Sequence, residues 1–148
     1  MLSFDTNILV YASDPTAGTR HAAAVKLLAA AALGGKAALN EQSLVEFIHV
    51  ATRKRRLPIA LAAELISSWI TNFPVITATQ TIVDDMVALL ASYPLSVWDA
   101  HMLALCAANH CTALMTEDLA DGAVYAGLLV LNPFNPKNGP VIRKLLDS

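Results

Sequence analysis

The 148 residues suit one compact domain with a single sizeable core. Hydrophobic residues make up 55% of the chain and charged ones 15%, a balance that excludes an intrinsically disordered protein. The net charge of −2 gives no global pull toward nucleic acid, so any handling of RNA would depend on local basic groups and bound cations.

No apolar run reaches the roughly 18–20 residues that span a bilayer. The longest, from Ala22 to Leu33, is alanine-rich and interrupted by Lys26. The opening Met1-Leu2-Ser3-Phe4-Asp5 has no basic stretch and meets an acid at once, so it does not read as a signal peptide and a cytoplasmic protein is expected. Cys106 and Cys111 have neither zinc-knuckle nor redox-pair spacing and read as two buried free thiols. The high apolar share, much of it alanine, also hints at a protein partner.

Leu2–Phe4 reads as a short strand, followed by helix over Ile8–Ala12 and a turn at Asp14-Pro15. An alanine-rich helix runs from Thr19 to Leu33 and stops at Gly34-Gly35. Ala37–Leu39 is a candidate strand, and Asn40 can cap a helix that continues to about Arg56. Pro58 opens a helix to about Asn72, and Pro74–Thr77 looks like a strand. Thr79–Ser92 and Val97–Asn109 are helical patterns separated by Tyr93-Pro94. Thr112–Met115 and Leu128–Leu131 are short apolar strands, the second ending at Asn132-Pro133. Strands alternating with helices predict an α/β fold with a mostly parallel sheet covered on both sides, in one domain spanning 1–148.

The acids are few, so their placement is informative. Asp5 follows the first strand and Asp118 follows Thr112–Met115, both at carboxyl ends, where open α/β sheets bind ligands. Glu46 and Asp99 fall near the starts of two helices. Leu44, Phe47, Ile48 and Ala51 make an apolar stripe, which leaves Glu46 on a polar face with Gln42, His49 and Arg53. Ser43–Glu46 and Ser96–Asp99 also match helix capping boxes, as does Thr81–Asp84, so a capping role and a site role both stand for Glu46 and Asp99. If Asp5, Glu46, Asp99 and Asp118 converge, their mutual repulsion calls for a cation, and oxygen-only ligands select Mg²⁺ or Mn²⁺. Such an ion can polarise a phosphodiester and activate water.

Asp5-Thr6-Asn7 after an N-terminal strand resembles the opening signature of PIN domains. Leu44-Val45-Glu46-Phe47, Trp98-Asp99-Ala100 and Thr116-Glu117-Asp118-Leu119 are similar to the segments carrying that family's second, third and fourth acids. Val130-Leu131-Asn132-Pro133-Phe134 resembles the closing strand of VapC-type toxins. The resemblance implies a PIN-like fold and an endoribonuclease that leaves 5′-phosphate and 3′-hydroxyl ends. It makes Asp5, Glu46, Asp99 and Asp118 the catalytic metal ligands. Thr6 or Asn7 would support Asp5, and Thr116 would position the loop of the fourth acid. It also implies an RNA substrate, a VapB-like antitoxin that enters the acidic groove, and a homodimer, with contact surface on helices such as Leu61–Ile70. Glu117, Asp118 and Asp121 compete for the fourth position, although Asp121-Gly122 reads first as an ordinary turn.

Two other magnesium-dependent classes fit less well. A haloacid-type phosphatase needs a second Asp where Asn7 stands, and a receiver domain needs an acidic pair and a late lysine that are not seen. A binding module without activity is the remaining alternative. His21 and His110 read as helix-surface positions, His49 as an i, i+3 partner of Glu46, and His101 as lying on another face than Asp99. Trp69 and Trp98 are expected in the core. The run Arg53-Lys54-Arg55-Arg56 reads either as a solvated helix end or as a phosphate contact.

Overall fold

Strand β1, Leu2–Phe4, is buried on both faces, as expected of a strand in a parallel sheet covered on both sides. The computed structural model describes residues 1–147. After β1 come α1 (Thr6–Ala12), α2 (Thr19–Gly34), β2 (Leu39–Asn40) and α3 (Glu41–His49), which runs into a π-helical turn over Val50–Lys54. Next are α4 (Ile59–Asn72), β3 (Val75–Ile76), α5 (Ile82–Ser92) and α6 (Val97–Ala108). The chain continues through β4 (Ala113–Met115), β5 (Val124–Tyr125), β6 (Leu128–Leu131) and α7 (Gly139–Asp147).

The main sheet has the order β1-β4-β6-β5, parallel except for the β5–β6 pair. β2 and β3 form a second parallel pair, and a parallel bridge from Leu2 to Ala37 joins it to the edge of β1. This is the expected α/β architecture. The core lies on both faces of the sheet. Phe4, Ala113, Met115 and Leu131 pack toward α1, α2, α3 and α7, while Leu114, Leu128 and Val130 pack toward α5 and α6. Period-two alternation along each strand sends neighbours into opposite layers.

Two glycines end α2. Gly35 takes the left-handed cap (φ 64°), and a Cβ on Gly34 would stand 2.9 Å from the Leu146 carbonyl, so α7 docks there against bare backbone.

Several boundaries differ from expectation. The helix read from Asn40 to Arg56 is α-helical only to His49. The widened turn follows, and Arg56 (φ 55°) then reverses the chain while the Leu57 N–H donates to the Ala51 carbonyl at 2.9 Å. β2 is centred on Leu39–Asn40 rather than Ala37–Leu39, because pairing with Val75 and Ile76 sets its register. α5 begins at Ile82 rather than Thr79. The Thr81–Asp84 capping box does not form, and the Thr81 hydroxyl donates to Asp85 instead. β5 and α7 lie in segments to which the sequence reading assigned no element. Cys106 and Cys111 are buried and free, as expected.

Candidate active site

The parallel pairing of β1 and β4 sets Phe4 opposite Met115, so the chain leaves both strands at the same edge. Asp5 and Thr116 come next, and the Thr116 hydroxyl donates to Asp5 Oδ2 at 2.6 Å. Asp5 is also the N-cap of α1, with Oδ1 accepting the Thr6 N–H at 2.5 Å. Thr116 accepts in turn from the Asp118 N–H at 3.1 Å, which fixes the loop carrying Asp118.

Asn7, the second residue of α1, bridges the two acids. Its Nδ2 lies 3.2 Å from Asp5 Oδ2 and 3.0 Å from Asp118 Oδ2. Glu46 approaches from α3, accepting the Thr6 hydroxyl at 3.0 Å on Oε2 and Gln42 Nε2 at 2.6 Å on Oε1. Asp5, Glu46 and Asp118 therefore share one cleft of about 260 Å³, walled also by Tyr11, Val50 and Arg55. A larger hollow of about 470 Å³ between α5 and α6 is lined mainly by alanines, with Asp85 its only carboxylate, so size alone does not mark the site.

Asp5 is 7% exposed, and its carboxyl is pushed up from 3.8 to about 6. Burial is the main cause. The hydrogen bonds from Thr116 and Thr6 oppose it, and the charges of Asp118 and Glu46 add to it.

The capping reading of Glu46 is overturned. Asn40 is the N-cap of α3, accepting the Ser43 N–H at 2.8 Å, and the Ser43 hydroxyl turns to the Phe4 carbonyl. The Ser96–Asp99 box does form: Asp99 N–H donates to Ser96 Oγ at 3.1 Å, and that hydroxyl donates to Asp99 Oδ2 at 2.6 Å. Asp99 does not line the cleft of the other three. Its helix is nonetheless tied to them, because Gln42 Nε2 also donates to the Trp98 carbonyl at 3.0 Å.

Asp121 stands apart. Its carboxylate accepts from the Asn132 N–H and the Asn135 and Asn138 amides at 2.7–2.9 Å, which pins the segment between β6 and α7 and holds its pKa low. Gly122 (φ 83°) completes the turn beside it. Glu117 is also engaged, by Arg20 at 2.9 Å and by the Tyr11 hydroxyl.

Sequence reasoning put Gln42 on the polar face with Glu46 but did not foresee its contacts with Glu46 and His101. His101 Nδ1 lies 2.5 Å from Gln42 Oε1, so a hydrogen-bonded chain runs from His101 through Gln42 to Glu46. The signal was available: Gln42 and Glu46 are an i, i+4 pair on the polar face of α3. His49 makes no bond to Glu46 and lines a neighbouring hollow with Trp98. Trp69 packs edge-on against Phe47, as expected of a core residue, whereas Trp98 is 69% exposed and corrects that expectation.

The donor set suits a hard divalent cation, since the cleft gathers three carboxylates with no thiol or imidazole. Asn7 Oδ1 is buried without a hydrogen-bond partner, while Nδ2 of the same amide faces Asp5 and Asp118. As the side chains stand, no three acidic, His or Cys groups among the described residues enclose an ion. Asn7 and Thr6 hold the carboxylates in a hydrogen-bonded frame instead.

A chain of a toxin–antitoxin complex from Klebsiella pneumoniae shares the fold, with a TM-score of 0.65 and 26% identity over 90% of this chain and 98% of that one. A sarcin–ricin loop cleaving VapC toxin from Mycobacterium tuberculosis superposes with a TM-score of 0.60 at 18% identity, covering 77% of this chain and 87% of the toxin. No curated protein matches the sequence. The PIN domain model matches residues 3–120, a span that holds Asp5, Glu46, Asp99 and Asp118 and excludes Asp121, and the chain belongs to the PIN domain family.

Proposed function

We propose that this chain is a divalent-metal-dependent endoribonuclease, a single PIN domain acting in the cytoplasm as the toxin of a VapBC-type pair. The observation that carries the reading is the convergence of Asp5, Glu46 and Asp118 on one cleft, with Asn7 bridging Asp5 and Asp118. Similarity to a chain of a toxin–antitoxin complex supports the toxin assignment. Among the described residues no helix is long and apolar enough to cross a membrane.

Asp5, Glu46 and Asp118 would hold Mg²⁺ or Mn²⁺, with Asp99 contributing from the head of α6, and the bound ion would polarise a phosphodiester and favour ionisation of water. The protein's own part is orientation. Thr116 and the Thr6 N–H fix both oxygens of Asp5, and Thr6 and Gln42 fix both oxygens of Glu46. These bonds hold the carboxylates ready before substrate arrives, which lowers the reorganisation needed at the reacting centre. A carboxyl raised to about 6 is ionised at neutral pH but only moderately stable as an anion, so a neighbouring positive charge is strongly favoured.

Antitoxin and homodimer contacts belong to the same reading. Leu61 and Ile70 on α4, Val83 and Val87 on α5, and Trp98 on α6 are exposed apolar side chains that a protein partner would cover.

Chelator-treated protein should cleave RNA only when Mn²⁺ or Mg²⁺ is restored, leaving 5′-phosphate ends that a phosphate-dependent exonuclease removes. Cleavage that persists in chelator contradicts the metal-dependent reading. No cleavage by folded protein that binds metal and RNA favours the binding module.

A further inference from the structure

We propose that Arg55 grips an RNA phosphate next to the scissile one, and that Asp14 holds Arg55 in reserve until RNA arrives. The inference rests on the ribonuclease reading, because its ligand is that substrate's backbone.

Arg55 is the only cation among the residues lining the acidic cleft. It is placed there by the break in α3. Across the π-helical turn the Arg55 N–H reaches back five residues to the Val50 carbonyl at 3.1 Å, and the left-handed Arg56 then turns the chain away. A π turn inserts one residue and re-aims the side chains after it, a feature frequent at functional sites. Of the basic run Arg53–Arg56, Arg55 lines the cleft of all three carboxylates, while Lys54 lines the neighbouring hollow beside Glu46 alone.

Arg55 also lines a second pocket, of about 360 Å³, with Ser13, Asp14, Thr16 and Leu57. The two cavities thus share Arg55 in their walls. An RNA strand running from the carboxylates toward Ser13 and Thr16 would pass Arg55.

The present partner of Arg55 is Asp14 Oδ2. With the Arg55 side chain 40% exposed, such a pair contributes little stability, whereas a phosphate offers guanidinium two parallel charge-assisted bonds. Asp14 divides its oxygens: Oδ1 accepts from the Thr16 N–H at 3.0 Å and the Thr16 hydroxyl at 2.6 Å, and Oδ2 takes Arg55. Asp14→Asn therefore keeps the turn's acceptor while releasing the arginine.

The test is anisotropy of a fluorescein-labelled single-stranded RNA, titrated with full-length protein in chelator at several salt concentrations. Arg55→Ala should weaken binding on the order of tenfold, as loss of a charged hydrogen bond does. It should also reduce the slope of log K against log salt by about 0.7, one phosphate contact on a single strand. Arg55→Lys should keep the slope, and Asp14→Asn should bind severalfold more tightly than wild type.

A wild-type slope in Arg55→Ala, or unchanged affinity in Asp14→Asn, overturns the proposal. Cleavage with Mn²⁺, followed in parallel, separates the two readings. Metal-dependent cleavage with no change of slope in Arg55→Ala leaves the nuclease standing and removes Arg55. The expected slope loss in a wild-type background that never cleaves RNA keeps the phosphate contact and removes the nuclease.

Discussion

Thr116 and Asp5 meet because two parallel strands end in register: Phe4 pairs with Met115, and the next residue on each strand supplies one end of a 2.6 Å hydrogen bond. The contact joins residues 111 apart in sequence. It also links the carboxylate at the end of β1 to the loop of Asp118, whose N–H donates to the same hydroxyl.

Removing that hydroxyl should move the titration of Asp5. The Thr116 bond is the largest influence opposing the upward push of burial, so Thr116→Val should carry the carboxyl above about 6. In metal-free protein the titration of Asp5 should shift upward in Thr116→Val, with Thr116→Ser close to wild type, as followed by carboxyl NMR in chelator. Superimposable titrations for Val and wild type would break the link between this bond and the Asp5 carboxyl.

Asp5 also sets a pH dependence of stability in metal-free protein. A folded-state value of about 6, against 3.8 unfolded, means that folding favours the protonated acid. Its contribution is fully present below pH 3.8 and is lost as pH rises through 6, a change on the order of 3 kcal/mol. In chelator, Asp5→Asn should therefore melt higher than wild type at pH 7, with the gap closing near pH 4. Millimolar Mg²⁺ should raise the wild-type melting temperature, by about 2.7 kcal/mol of stability at a hundred times Kd, and leave Asp5→Asn unmoved. Equal responses of the two proteins to metal would place the ion elsewhere.

Asp99 serves a capping box and is proposed as a ligand, and one substitution separates the roles. Asn can still accept the Ser96 hydroxyl, so Asp99→Asn should fold with near wild-type stability. If the carboxylate reaches the cation, metal affinity should fall on the order of 10–100-fold, read by calorimetry. Unchanged affinity and activity would leave Asp99 a cap alone.

The free thiols lie outside the cleft of the carboxylates. Cys106 on α6 and Cys111 just after it are buried, and each influences the other's titration. Replacing both with Ala should cost roughly 1–3 kcal/mol of stability through lost packing. Cleavage per folded molecule should stay near wild type, and its loss in a folded double variant would bring the pair into the mechanism.

The strand-end acids were legible because the rule that places them is local: a short apolar strand followed at once by Asp5, and another followed by Thr116 and Asp118. Glu46 was harder. Ser43–Glu46 fits a capping box by spacing, but Asn40 already caps α3 and Ser43 turns to the Phe4 carbonyl, a choice made by tertiary packing. The π turn left no mark in apolar periodicity, since one inserted residue near a helix end looks like fraying. Trp98 matched a core residue by type and is exposed, because type carries no information on what lies opposite. Asp121 competed with Asp118 by spacing alone, and only the fold gathers Asn132, Asn135 and Asn138 around its carboxylate.

The most direct measurement compares wild type with Asp5→Asn on total RNA, both chelator-treated, both shown to be folded, with and without Mn²⁺. The account predicts cleavage by wild type only with metal and none by Asp5→Asn. Full metal-dependent cleavage by Asp5→Asn would contradict it, because the account rests on the carboxylate that Thr116, Asn7 and the Thr6 N–H hold in place.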